Sequence, residues 1–202
     1  MSIRLIALDG SATRELVSHK VPRGALSSFR PDVSPDGRAV YAYPDAGGYS
    51  QLFILDLTSG REHQLTTSRS DKADPRWSPD GRWIAFSANA EGAVQVWKIL
   101  ASGGDEHVLT SGYERMRHVF YSQDGRWLYV QASHRNIYRL PAEGGPLQRV
   151  TDFPETGLFI EEPTISPDGK YLVYSRSRGG SSLWLLTLGT QSAASSSSAV
   201  TK

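Results

Sequence analysis

The chain repeats one tetrapeptide four times, as Ser34-Pro35-Asp36-Gly37, Ser78-Pro79-Asp80-Gly81, Ser122-Gln123-Asp124-Gly125 and Ser166-Pro167-Asp168-Gly169. The copies start 44 residues apart each time, and a basic residue follows every copy. Proline sets φ for the first central position of a turn, while Asp-Gly supplies a side-chain hydrogen bond and a permissive φ. Each copy therefore predicts a tight turn between two antiparallel strands.

Apolar runs around each turn predict the other strands of a small sheet. A run such as Val40-Tyr41-Ala42-Tyr43 follows the turn, and a later run carries an apolar and aromatic pair such as Leu52-Phe53. A glycine turn then leads to a short run that ends in threonine, at Thr66, Thr110 and Thr151 in the first three repeats. Four short strands in about 44 residues, separated by Gly, Pro and Asp, are typical of one propeller blade. Such a sheet leaves apolar faces in water unless its neighbours cover them, so the blades must stack.

We therefore predict an all-β protein, a β-propeller of four four-stranded antiparallel blades with an N-terminal half-blade. The half-blade covers residues 1–19, with strands at 3–9 and 15–18, and the blades cover about 28–67, 72–111, 116–152 and 160–189. Residues 190–202, rich in serine and alanine, are predicted to form a flexible tail. Two arrangements stay open. Either residues 15–18 complete the last blade and close a small ring, or the chain is the C-terminal part of a longer propeller and forms an open arc.

The composition narrows the classes of function. The 22 basic and 21 acidic residues give a net charge of +1 without a basic stripe, which argues against a nucleic-acid partner. The first apolar stretch is broken by Asp9 and is too short for a signal peptide, and no apolar run is long enough for membrane insertion. As written, the sequence predicts a cytoplasmic protein, or a periplasmic one if it is a piece of an exported protein. With no cysteine, disulfides and thiolate metal sites are excluded.

Motifs for catalysis are missing from the sequence. It contains no Gly-x-Ser-x-Gly, no P-loop, no Gly-x-Gly-x-x-Gly and no His-Glu-x-x-His. His19, His63 and His107 lie 44 residues apart, but the strand pattern spreads them around the outer rim, so we predict no metal site. The turn aspartates are interpreted as turn caps rather than calcium ligands. We predict no enzymatic activity and no cofactor.

One position of the repeat varies in a way that suggests a binding surface. Four residues before each motif serine stand Arg30, Asp74, His118 and Glu162, which are always polar and never the same. Because strand A begins there, the symmetry of the repeat places them at one mouth of the channel, and we predict a partner-binding mouth that also includes Asp32, Arg76 and Phe120. The alternative is a set of solvated junctions that pair across blades, Arg30 with Asp74 and His118 with Glu162.

A second candidate surface is the apolar connection between the third and fourth repeats. This segment contains Phe153, Leu158, Phe159 and Ile160. These side chains either contact a partner or fold down as a plug, and the sequence favours neither interpretation.

The repeat resembles that of the TolB-type propeller family, also called WD40-like or PD40 repeats. The resemblance rests on the four tetrapeptides with their basic residue, and on preceding segments such as Asp74-Pro75-Arg76-Trp77 and Glu162-Pro163-Thr164-Ile165. It covers about residues 28–189. Similar repeats occur in the Tol-Pal envelope component, in the gating propellers of prolyl-oligopeptidase-like enzymes and in bacterial signalling proteins. The resemblance implies a protein-binding scaffold or sensor with an unidentified protein partner. The alternative is the substrate-gating propeller of a hydrolase whose catalytic domain is absent here.

Overall fold

The structure, a computed structural model, describes residues 2–20, 30–90, 92–112, 115–153, 159–177 and 181–187. These ranges contain strands β1 to β17 and no helix. Accordingly, no helix in the described part of the chain could span a membrane. The predicted tail at 190–202 lies outside the described residues.

The strands form a two-stranded hairpin and four blades, each with its strands in chain order. The hairpin consists of β1 (Ser2–Ile6) and β2 (Thr13–Ser18). Blade 1 contains β3 (Asp32–Val33), β4 (Arg38–Pro44), β5 (Ser50–Asp56) and β6 (Glu62–Gln64). Blade 2 contains β7 (Lys72–Trp77), β8 (Trp83–Ala90), β9 (Ala93–Leu100) and β10 (His107–Val108). Blade 3 contains β11 (Met116–Tyr121), β12 (Trp127–Ala132), β13 (Asn136–Pro141) and β14 (Gln148–Arg149). Blade 4 contains β15 (Phe159–Ile165), β16 (Tyr171–Ser177) and β17 (Ser181–Thr187). All pairings are antiparallel, and the predicted propeller fold is confirmed, with three strands rather than four in the described part of blade 4.

Each tetrapeptide forms the turn between the first two strands of its blade. In blade 3 the Ser122 hydroxyl donates to Asp124 Oδ1 at 2.6 Å and accepts the Trp127 amide at 3.0 Å. The Gly125 amide closes the turn on the Ser122 carbonyl at 3.0 Å, and Gly125 has φ of 70°. Because only glycine adopts this φ without strain, the Asp-Gly pair fixes the reversal. The same serine and aspartate contact recurs in the other three blades.

The threonine near the end of blades 1, 2 and 3 joins the outermost strand to its neighbour. In blade 2 the Thr110 Oγ1 accepts the Val96 amide at 3.0 Å and donates to Gln95 Oε1 at 2.6 Å. Thr66 and Thr151 make the equivalent contacts in blades 1 and 3. All three threonines are buried, so their hydroxyls satisfy backbone groups that water does not reach.

The hydrophobic core lies between the blades rather than within them. Val40 and Ile54 of blade 1 pack with Ile84 and Phe86 of blade 2, and Trp77 shares their cluster. Equivalent clusters join blade 2 to blade 3 and blade 3 to blade 4. Burying each large apolar side chain contributes about 1.5 to 3 kcal/mol, so the stacking of neighbours provides most of the stabilisation.

The N-terminal hairpin packs against the outer face of blade 1. Ile3, Leu16 and Val17 contact a cluster that contains Tyr41 and Leu55, and Arg14 donates to the Thr58 carbonyl at 3.1 Å. Since β2 pairs with β1, and with no other strand of the described residues, it does not complete blade 4. The alternative of a closed ring is therefore wrong, because the apolar face of the hairpin already packs against blade 1. The described blades form an open arc.

Candidate functional site

Three of the four variable positions have a left-handed backbone. Asp74, His118 and Glu162 have φ of 52°, 51° and 53°, and each lies at a register shift between the first two strands of its blade. A residue other than glycine rarely adopts this conformation, which costs on the order of 1 to 3 kcal/mol. The bulge turns the polar side chain away from the sheet at the edge where the first strand begins. The sequence predicted the position but not this strain.

The four variable residues converge in pairs, although not in the pairs that the sequence favoured. Arg30 of blade 1 donates two hydrogen bonds to the carboxylate of Glu162 in blade 4. His118 Nδ1 lies 4.0 Å from Asp74 Oδ2 of the adjacent blade. The structure thus shows Arg30 with Glu162 and His118 near Asp74, whereas the sequence alternative paired Arg30 with Asp74 and His118 with Glu162. The contact between Arg30 and Glu162 joins the first and fourth blades, 132 residues apart in the chain.

Two further residues join this group. His134 lies in the turn between the second and third strands of blade 3, and its ring centroid is 6.5 Å from that of His118. Its Nδ1 is 3.7 Å from Glu161 Oε1, and its carbonyl accepts the Ile160 amide at 2.9 Å. Ser133 and His134 have φ of 50° and 57°, as a type I′ turn requires. We call the set Arg30, Asp74, His118, His134, Glu161 and Glu162 the mouth cluster. No spacing in the repeat indicates His134, because only the stacking of the blades brings it beside His118.

The environment of His118 favours the neutral imidazole. Burial lowers its pKa below the ordinary 6.5, and the charge of Arg30 lowers it further, while Asp74 and Glu161 oppose that shift. The cluster contains three carboxylates, those of Asp74, Glu161 and Glu162, and one guanidinium, that of Arg30, which pairs with Glu162. The mouth cluster is therefore an arrangement that attracts cations.

Two polar atoms at the cluster are buried without a hydrogen-bond partner in the described part of the chain. One is Gln131 Oε1, an acceptor on a side chain with no exposed surface, and the other is His134 Nδ1. The amide nitrogen of Gln131 donates to the carbonyl of Ile160, the residue before Glu161. Buried polar atoms are usually paired, so Gln131 Oε1 marks a place where a donor is missing.

Other residues predicted at the mouth have structural roles. Phe120 is buried between blades 3 and 4 and stacks on Tyr129 with centroids 5.4 Å apart, so it is corrected to a packing residue. Asp32 Oδ2 accepts the Trp77 amide at 2.7 Å and thereby joins blade 1 to blade 2. Arg76 donates to the carbonyl of its neighbour Pro75 at 3.1 Å.

The apolar connection before blade 4 divides in the structure. Ile160 is fully buried and Phe153 packs against Tyr174, so these two residues belong to the core between blades 3 and 4, which favours the plug over partner contact for both. Phe159 is 52% exposed. Leu158 lies outside the described residues.

The opposite face of the propeller carries a cleft of about 520 Å³ between the turns of blades 2 and 3. Lys98 lies at its base, donates to the Ala142 carbonyl and to Glu143, each at 3.0 Å, and covers the Trp83 ring at 4.4 Å. These contacts satisfy the lysine within the protein. The cleft therefore marks a contact between blades 2 and 3, and it does not present the lysine to a ligand.

The mouth cluster presents charged groups and hydrogen-bond acceptors together. In the described residues no three His, Cys, Asp or Glu side chains are placed to hold a metal ion. The cluster contains no serine or threonine next to a base, so it lacks the pair that activates a nucleophile. Its groups offer charge and hydrogen-bond acceptors from three strands, from the segment before β3 and from a turn.

Comparison with known proteins gives one family and many similar folds. The model of the TolB beta propeller domain family, PD40, matches residues 3–198. No curated protein matches the sequence.

Two similar solved structures are TolB proteins. A putative TolB from Agrobacterium tumefaciens is 21% identical with a TM-score of 0.75, covering 93% of this chain and 70% of that one. TolB from Acinetobacter baumannii is 22% identical with a TM-score of 0.71, covering 91% of this chain. The chain spans 45% of the length of that Acinetobacter protein.

An enzyme is also among the similar structures. A puromycin hydrolase is 20% identical with a TM-score of 0.65, and the match covers 89% of this chain and 30% of that one. At these identities the likeness concerns the fold alone.

Proposed function

Because the chain belongs to the TolB β-propeller family, we propose that it is a non-catalytic scaffold or sensor that binds a protein partner through the mouth cluster. The observation that carries this proposal is the placement of backbone strain. In the described residues the non-glycine residues with positive φ are Asp74, His118, Ser133, His134 and Glu162, and all of them lie at this one mouth. Strain of this kind persists where the surrounding fold holds it and is concentrated at binding and catalytic sites.

The partner surface extends from the mouth cluster to Phe159. This ring is half exposed at the start of β15, three residues before Glu162. Aromatic side chains are enriched at the centres of protein interfaces, where they bury a large area. A charged cluster beside an exposed ring therefore offers both orientation and apolar contact.

The test is a cross-linking capture with the full gene product as bait. We expect a defined partner that the Phe159→Ser and Glu162→Gln variants lose. The matched control is Glu15→Gln, which removes the same charge from an exposed ion pair of the hairpin. A partner that binds all variants equally would contradict the mouth as the docking surface.

A second candidate is the substrate-gating propeller of a prolyl-oligopeptidase-like hydrolase. The similarity to the puromycin hydrolase favours it, because the chain matches a region that is 30% of that enzyme, as one domain of a larger hydrolase would. The gene itself provides the test: a Gly-x-Ser-x-Gly domain in the same reading frame would support this function. An intact frame that encodes no such domain contradicts it.

The compartment is a separate proposal. An exported parent protein would carry the propeller to the periplasm, and a parent protein without an export signal would keep it in the cytoplasm. Fractionation of cells that express the natural gene from its own start decides between them.

A further inference from the structure

Arg30 occupies the mouth in the manner of a bound ligand. Its guanidinium makes two hydrogen bonds to the Glu162 carboxylate, which belongs to a blade 132 residues further along the chain. The two side chains are 38% and 54% exposed, so the pair is half in solvent. An exposed ion pair is weak and can exchange with a competing cation.

The mouth cluster offers more acceptors than Arg30 uses. Glu161 adds a second carboxylate, and Asp74 adds negative charge beside His118. Gln131 Oε1 is a buried acceptor that lacks a donor in the described part of the chain. Gln131 and His134 both border Ile160, because Gln131 donates to the Ile160 carbonyl and the His134 carbonyl accepts the Ile160 amide. A group with several N–H donors and a positive charge matches this set.

We propose that the mouth cluster binds an arginine or lysine side chain on a basic segment of the protein partner, and that Arg30 holds this place in the free protein. The incoming cation takes the Glu162 carboxylate from Arg30 and approaches Glu161 and the buried Gln131 Oε1 beside it. This inference rests on the proposed function and adds the chemistry of the partner.

Charge and geometry both favour a cationic side chain over an anion or a metal ion. An anion would face three carboxylates in the cluster. A metal ion would need three suitably placed ligands, and the described residues contain no such group. A side chain on a partner segment also explains why the exposed Phe159 lies next to the acidic group, since the segment can cover both.

The experiment is an NMR titration of the full chain with a blocked glycine and serine peptide that carries one central arginine. We expect the imidazole signals of His118 and His134 to shift, and the same peptide with glutamine in place of arginine to leave them unchanged. Arg30→Gln removes the internal competitor and should tighten binding about threefold, whereas Glu162→Gln should weaken it about threefold.

The hairpin ion pair supplies matched controls. Arg4 and Glu15 form an exposed pair at 2.8 Å, so Arg4→Gln and Glu15→Gln change the net charge equally at another place. If Arg4→Gln tightens binding as much as Arg30→Gln does, overall charge explains the result and the proposal is overturned. Equal binding of the glutamine peptide, or no shift with the arginine peptide, also overturns it. If free spermidine binds equally well at the same ionic strength, the ligand of the site is a polyamine rather than a peptide side chain.

The failure of this inference differs from that of the proposed function. A captured partner that Phe159→Ser loses, while Glu162→Gln and Arg30→Gln bind it normally, leaves the scaffold function standing and overturns the cation site. A partner that ignores all three substitutions removes the docking surface itself. The circular dichroism spectrum and melting temperature of each variant establish that it is folded.

Discussion

Single side chains at the mouth combine unusual backbone with unusual electrostatics. His118 has φ of 51° and a buried imidazole that lies near Asp74 and His134. Burial favours its neutral form, since a charged ring would lose its hydration. The same residue therefore links the conformation of the mouth to the pH of the solution.

We expect His118 to make the fold less stable in mild acid. Its folded pKa lies below 6.5, so between these two values the unfolded chain binds more protons, and the free energy of unfolding falls as the pH decreases. Stability from this group is complete above about pH 6.5 and is lost as the pH falls toward the folded pKa. The groups that act on the ring are Asp74, Arg30, Glu161 and His134.

Urea unfolding between pH 5 and 7.5 measures this effect. The His118→Gln variant should show a flatter profile than the wild type, and His107→Gln, on the exposed outer strand β10, should leave the profile unchanged. A wild-type profile that His118→Gln does not alter would contradict the assignment.

We expect Ser133→Gly to stabilise the protein by about 0.5 to 1 kcal/mol, because glycine adopts a left-handed φ without the steric cost of a side chain. Ser133 is exposed, has φ of 50° and makes its turn contact through the backbone amide, which glycine keeps. Thermal unfolding provides the measurement. The control is Ser102→Gly, at an exposed turn residue that is not among the positive-φ residues. There glycine should destabilise the protein, and a gain at both positions would refute the strain argument.

Strands and turns are held by a few polar contacts that recur from blade to blade. Each first turn uses a serine and an aspartate, and blades 1, 2 and 3 each join their outermost strand through a buried threonine. The outermost strands are short, with two residues in β10 and in β14. Such strands have few ladder hydrogen bonds, so one buried hydroxyl has a large share in holding them.

We expect Thr110→Val to destabilise the protein by about 1 to 3 kcal/mol, since it leaves the buried Val96 amide without its acceptor and removes the hydrogen bond to Gln95 Oε1. The substitution should increase the rate of backbone amide hydrogen exchange most in β9 and β10. The Thr110→Ser variant keeps the hydroxyl and should lose much less stability. Equal losses for the two variants would indicate that the methyl group, not the hydrogen bond, holds the strand.

At the scale of the whole molecule, stability comes from contacts between neighbouring blades. Every described blade shares a hydrophobic cluster with the next one, and the hairpin packs on blade 1. A mouth made from four blades keeps its geometry only while all of these interfaces hold. In this open arc the ion pair between Arg30 and Glu162 also links the first and fourth blades across the mouth.

We expect Phe120→Ala to cost about 3 to 5 kcal/mol and to loosen blade 4 more than blade 1, because Phe120 fills the interface between blades 3 and 4. Hydrogen exchange resolved by blade is the measurement. Phe159→Ala, at a half-exposed ring, should change stability by less than about 0.5 kcal/mol. Uniform loosening of all blades by Phe120→Ala would contradict stacking as a chain of nearest-neighbour contacts.

The sequence by itself determined the blades and the positions of the mouth. Local chemistry suffices there: Asp-Gly sets each reversal, alternating apolar residues set each strand, and the 44-residue period repeats both. It also placed Arg30, Asp74, His118 and Glu162 at equivalent points. Only the tertiary structure decided which of them meet, that His134 and Glu161 join them, that Phe120 and Ile160 are buried, and that β2 packs on blade 1 instead of closing a ring. These outcomes depend on how far the stacked blades rotate about a common axis. That rotation is the sum of many side-chain contacts between distant segments, and no local pattern encodes it.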